Sequence, residues 1–210
     1  MPTSPSLIHA LDALAQQDED VARALASYGY PKDRRMPQTY ESLAKIIIGQ
    51  QISRAAASSI WARLQDAGYV TADSIAAIDA GALQAHGLSA QKANYLHGLA
   101  VAVVSGELDL SSLPHMSGQE VHDILVSFKG VGSWTADNYR LFALGDFDAW
   151  PGNDIALQEA MRRMKSLATR PNAKEMMTLA HSWCPYRGAG ALLLWHLYGV
   201  EVRGAVVSDI

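Results

Sequence analysis

Apolar residues recur at helical spacing almost from end to end of this chain, and that period limits its fold more than any other feature. Leu7, Leu11 and Leu14 lie one and two turns apart on one helix face, and Tyr40, Leu43, Ile46 and Ile47 repeat the arrangement. Ser53 is placed to cap a helix carrying Ile60, Trp61 and Leu64, which Gly68 ends. The same spacing predicts helices over 74–80, 89–104, 118–127, 133–144, 154–167, 173–184 and 188–199. Strand-type alternation is confined to a weak stretch at 200–207. Pro37, Pro114, Pro151, Pro171 and Pro185 fall at junctions, where a residue lacking an N–H breaks no helix. No fixed-period repeat is present, so a solenoid is not expected. The fold class is all-α with short connections.

Composition narrows the class further. At 49% hydrophobic and 18% charged residues, 210 residues hold ample core material and do not read as disordered. No apolar run approaches the ~18–20 residues of a membrane span. The N-terminus lacks a charged, then apolar, then small-residue signal, so a cytoplasmic protein is expected, nucleoid-associated if bacterial. The single cysteine, Cys184, excludes an internal disulfide, a four-cysteine zinc site and a cysteine-held iron–sulfur cluster. The seven histidines, His115 and His122 among them, show no metal-ligand spacing and read as structural. No metal is expected.

The net charge of −4 argues against indiscriminate coating of nucleic acid, but it is unevenly spread. From Asp66 to Val126, Lys92 is the one base among seven acids, whereas from Ser127 to Arg187 eight bases outnumber six acids. A local basic face on an acidic protein can meet a phosphate backbone. Solvated helix surfaces account for most of these residues equally well.

Two segments carry chemistry. In Leu125-Val126-Ser127-Phe128-Lys129-Gly130-Val131-Gly132-Ser133-Trp134-Thr135-Ala136 one helix ends, a Gly-Val-Gly turn follows, and a second helix begins within three residues. Two glycines allow backbone conformations closed to other residues and leave the main-chain N–H groups uncovered. At the start of a helix those groups make an anion site. The turn lacks Gly-Lys-Ser/Thr and is no nucleotide P-loop. Taken alone, such a turn is more often a tight corner between helices. Downstream, Trp150-Pro151-Gly152-Asn153 forms a loop and Asp154 opens an apolar-periodic helix. The commoner role of such an aspartate is an N-cap. Its place 22 residues after Gly132 leaves room for one helix and a return loop, so it could also come back toward the turn.

With these residues together, the chain resembles the helix–hairpin–helix–Gly/Pro–Asp superfamily of DNA glycosylases. The resemblance rests on the hairpin, on Pro151 followed by Asp154, and on two further segments. Ile46-Ile47-Ile48-Gly49-Gln50-Gln51-Ile52-Ser53 is similar to the early helix end whose second glutamine position enters the gap left by a flipped nucleotide. Trp183-Cys184-Pro185-Tyr186-Arg187-Gly188-Ala189-Gly190-Ala191 is similar to the late Trp-x-Pro-x-Arg segment. Together they cover roughly residues 36–199, most of the chain.

The resemblance implies two helical subdomains with the active-site cleft between them: residues 39–146, holding the hairpin at 125–136, and residues 1–38 with 147–210, holding Asp154. It implies DNA contacts from Gln50, Gln51, Ile52, Lys129, Gly130, Val131, Gly132 and Thr135. The hairpin reads phosphates rather than bases, and a turn of this type can take a monovalent cation on its main-chain carbonyls. Asp154 becomes the catalytic carboxylate, Trp134, Trp195 and Tyr139 the base-pocket aromatics, and Arg187 a structural support for the Asp154 loop. On the residues alone, Trp195 reads as plain core and Arg187 equally as a surface salt bridge.

Bifunctional members place a lysine two residues after the second hairpin glycine, and here that residue is Trp134. Without that amine no Schiff base forms there, so strand cleavage is not expected. The resemblance is then to the DNA-3-methyladenine glycosylase II branch, acting on double-stranded DNA as a monomer and needing no cofactor. An electron-rich pocket suits purines made cationic by alkylation, such as 3-methyladenine and 7-methylguanine, because a desolvated cation over an aromatic face gains ~2 kcal/mol. The β-rich N-terminal domain of some members has no counterpart in residues 1–38, which read as helical. Two rival readings remain: a glycosylase for deaminated or mismatched bases, and a non-catalytic helix–hairpin–helix DNA-binding module.

Overall fold

The structure, a computed structural model, describes residues 3–204. Among the described residues every regular element is helical. The chain divides into two compact units, one of residues 36–144 and one formed by the segments on either side of it.

The unit of 36–144 is built on six helices: α3 (Tyr40–Gly49), α4 (Arg54–Asp66), α5 (Ala72–Ala76), α6 (Ala90–Val104), α7 (Gly118–Val126) and α8 (Ser133–Tyr139). Several of their starts are set by side chains that accept first-turn N–H groups: Ser53 for α4, Ser89 for α6, and a reciprocal Ser117–Glu120 box for α7. Leu43, Ile47, Leu64, Leu96 and Leu125 are wholly or almost wholly withdrawn from solvent and form the centre of the core. α3 packs on α4, α6 and α8, so the end of α3 and the hairpin share one scaffold.

The other unit collects α1 (Pro5–Gln17), α2 (Glu19–Tyr28), α9 (Ile155–Met164), α10 (Ala173–Leu179) and α11 (Arg187–Arg203). α11 is its axis. It buries Ala189, Ala191, Leu192, Leu193, Leu194, His196 and Leu197, which lie all around the helix, as expected of one enclosed by neighbours. Those neighbours are α1, α2 and α9. His196 Nε2 bonds the Tyr28 carbonyl at 2.8 Å, fixing α11 against the end of α2.

Several boundaries differ from the sequence expectation. The helix expected over 74–80 is the short α5, and a 3-10 turn over Ala80–His86 follows it. The one expected over 133–144 is α8 as far as Tyr139 and then a single π-helical turn at Arg140–Leu144. The segment expected over 173–184 breaks after Leu179 into a 3-10 turn at His181–Trp183. The strand-like stretch at 200–207 is corrected as far as it is described: residues 200–203 are the last turn of α11, and 205–207 lie outside the described residues. Helix interiors follow the apolar period, which does not encode where a helix ends; Asp79, for one, caps the 3-10 turn by accepting the Gly81 N–H.

Candidate active site

The hairpin joins α7 to α8 within the unit of 36–144. Gly130 sits at φ +90, and a Cβ there would lie 2.3 Å from the ring of Tyr95 on α6. Only glycine fits. Gly132 differs, being extended at φ −91 and ψ 175, with no atom within 4 Å of the place a Cβ would take. The fold itself does not require glycine at 132. Val131 is buried and donates its N–H to the Phe128 carbonyl at 3.1 Å, while Phe128 packs on the core. Lys129 is exposed.

Residues expected to meet DNA divide into two groups. Gln51 and Ile52 are exposed, and Gln51 holds a left-handed backbone at φ +57, a costly conformation for a residue with a side chain. Gln50 and Thr135 instead face one another: the Gln50 amide donates to Thr135 Oγ1 at 2.8 Å and to the Gly130 carbonyl at 3.1 Å. Thr135 is 1% exposed. Together with buried Val131, these two hold the hairpin rather than reach outward. Trp134 is half-buried beside the core. Tyr139, expected in the base pocket, is a core side chain: it is fully buried, its hydroxyl has no partner, and burial pushes its pKa up to about 12.

In the other unit, Asp154 is the N-cap of α9. Its Oδ1 accepts the N–H groups of Ala156 at 2.8 Å and Leu157 at 3.1 Å, and the indole N–H of Trp195 at 3.3 Å. Trp195 is half-buried on α11, 41 residues on. The capping role and the pairing with an aromatic therefore coexist, and three N–H donors on one oxygen fix how the carboxylate points. Ile155, next along, is 62% exposed.

The loop before Asp154 is strapped to the start of α11. Arg187 grips Asp148 with Nε on Oδ1 at 2.8 Å and a terminal nitrogen on Oδ2. The amides of Gly188 and Ala189 donate to the Phe147 carbonyl at 2.6 and 3.3 Å. Burial pushes Asp148 upward, but the Arg187 bonds and charge outweigh it and hold the carboxyl below its usual pKa. Gly152 closes the loop where a Cβ would meet the Trp150 indole nitrogen at 2.5 Å. Among the described residues, no group of three or more His, Cys, Asp or Glu side chains is placed to hold a metal ion.

Sequence reasoning did not single out Asp148, Tyr95 or Lys92. Lys92 donates to the carbonyls of Ile48 at 2.7 Å and Gln50 at 2.6 Å, at the end of α3. Its one trace in the sequence is that it is the lone base in an acidic stretch.

Residues 44–186 match the family described as HhH-GPD superfamily base excision DNA repair protein. The Schizosaccharomyces pombe protein named DNA-3-methyladenine glycosylase 1 is 30% identical over 200 residues, covering 90% of this chain and 87% of that protein. A Bacillus subtilis relative, YfjP, is 31% identical over 165 residues, and the match spans 74% of this chain and 58% of that longer protein. The solved structure of the S. pombe 3-methyladenine DNA glycosylase Mag1 with abasic DNA superposes with a TM-score of 0.82 at 27% identity, covering 89% of this chain and 95% of that one.

Proposed function

The chain belongs to the HhH-GPD superfamily of base excision DNA repair proteins, and from that premise we propose that it is a monofunctional DNA glycosylase. It hydrolyses the N-glycosidic bond of alkylated purines, 3-methyladenine and 7-methylguanine, in double-stranded DNA. The observation that carries this reading is the Asp154 carboxylate, anchored at the head of α9 by two amides and the Trp195 indole.

In this mechanism the hairpin amides around Gly132 bind phosphates near the lesion, and Lys129 adds positive charge. Gln51, with Ile52, fills the gap in the stack as the damaged nucleotide swings out, a step costing a few kcal/mol and less where alkylation has weakened pairing. Alkylation at N3 or N7 has already made the base a good leaving group. The enzyme then stabilises the positive charge that grows on the sugar, which falls to Asp154, or orients the attacking water. Trp134 and Trp195 offer aromatic faces to a cationic base. Water supplies the oxygen at C1′, the free base departs with the bonding electrons, and an abasic site remains.

A monovalent cation at the hairpin belongs to the same proposal. The Phe128 carbonyl accepts the Val131 N–H, the Gly130 carbonyl accepts the Gln50 amide, and the Leu125 carbonyl accepts the Phe128 N–H. A carbonyl oxygen has two lone pairs, so these neutral oxygens fit such an ion. It would supply a positive charge beside the bound phosphate.

The test is release of free base from methylated duplex DNA, with uracil and hypoxanthine duplexes as controls. The proposal expects 3-methyladenine and 7-methylguanine to be released well ahead of both controls. Release of uracil or hypoxanthine alone would replace it with the deaminated-base reading.

A further inference from the structure

The ammonium of Lys92 sits at the end of α3, where the last carbonyls of a helix lack partners within it. It bonds two of them, Ile48 at 2.7 Å and Gln50 at 2.6 Å. Lys92 is half-buried and burial lowers its pKa, so the cation depends on these carbonyls in place of water. The bonds fix the direction in which the chain leaves α3. Gln51 follows at once, exposed and left-handed, before Ser53 caps α4 by accepting the Ala56 N–H at 3.2 Å. A strained backbone of this type persists where its flanks over-determine it, and Lys92 and Ser53 are those flanks.

A second connection leaves the same point. Lys92 holds the Gln50 main chain, and the Gln50 side chain holds Gly130 and Thr135 of the hairpin. One turn along α6, Tyr95 lies against Gly130. Residues three apart share a helix face, so a single face of α6 supports both the exposed 50–52 segment and the hairpin turn.

We propose that Lys92 is a positioning residue: it sets the segment that enters the stack, Gln51 and Ile52, and through Gln50 keeps it in register with the phosphate-binding hairpin. This rests on the function proposed above. Lys92 touches neither base nor sugar and acts through the main chain of α3.

The experiment compares wild type, Lys92→Met, Lys92→Arg, Gln51→Ala and the Met/Ala double variant. Two readouts are taken: single-turnover release of 3-methyladenine, and unstacking of a 2-aminopurine placed beside an abasic analogue in a duplex. Lys92→Met is expected to slow release tenfold or more and to reduce the 2-aminopurine signal, with affinity for undamaged duplex kept within threefold. Lys92→Arg is expected to restore most of both. Because Lys92 acts through Gln51, the double variant should be no slower than the slower single one. Wild-type release and unstacking in Lys92→Met would overturn the inference, as would effects of the two substitutions that multiply. If Lys92→Met does not fold, Lys92→Gln takes its place under the same criteria. If wild type releases no alkylated base, the proposed function fails, and the abasic-duplex unstacking still decides for or against Lys92.

Discussion

At Gly130 the place of a Cβ is taken by the Tyr95 ring and φ is +90, whereas at Gly132 that place is open and φ is −91. Alanine should therefore act in opposite ways at the two positions. Gly130→Ala is expected to destabilise the protein by about 1–3 kcal/mol in denaturant unfolding. Gly132→Ala should stay within about 0.5 kcal/mol of wild type, yet weaken duplex binding about tenfold because a methyl group now stands where a phosphate approaches. Trp195→Phe keeps an aromatic ring but removes the N–H that Asp154 accepts. Loss of one hydrogen bond to a charged group, worth about 1.5 kcal/mol, should slow base release roughly tenfold, with binding to an abasic duplex unchanged. These residues were unequally legible in the sequence. A loop followed by an apolar helix marks Asp154 as a helix start. Nothing local joins it to Trp195, because the contact spans 41 residues. The family resemblance alone puts Tyr139 in the base pocket; in the structure it is a buried core side chain of α8. The role of Lys92 is as hidden in the sequence as the Asp154–Trp195 contact: its partners are main-chain atoms more than forty residues away.

Helices as elements were far easier to read than their ends. The apolar period and the capping serines before α4, α6 and α7 announce them directly. The apolar period marks neither the π-helical turn after α8 nor the break after α10. The strap between α11 and the Asp154 loop belongs to this scale. Asp148 and Arg187 side chains are each 25% exposed, and Asp148 is held below its usual pKa despite its burial, chiefly by the Arg187 bonds. A carboxylate lowered in the folded state gives stability that is fully present above its unfolded pKa, about 3.9, and is lost as pH falls through the folded value. Asp148→Asn should thus lose less stability than wild type between pH 5 and pH 2, both values being approximate bounds for the titration. Arg187→Met should cost about 1–2 kcal/mol near neutral pH, discounted for partial solvent screening, and should loosen the Asp154 loop. Chemical denaturation across that pH range measures both.

For the molecule as a whole, an excess of acidic residues is compatible with the proposed DNA binding, because that contact is local. The hairpin supplies main-chain N–H groups, which need no net positive charge. Trp134 in place of a lysine predicts that borohydride traps no covalent complex with an abasic duplex; a trapped adduct would assign this chain lyase chemistry. The most direct test of the account is single-turnover release of 3-methyladenine by Asp154→Asn, measured beside its affinity for an abasic duplex. Asparagine caps a helix about as well as aspartate, so fold and binding should survive while the rate falls ~100-fold or more with the lost charge. Release at the wild-type rate by a folded, DNA-binding Asp154→Asn protein would contradict the mechanism at its centre.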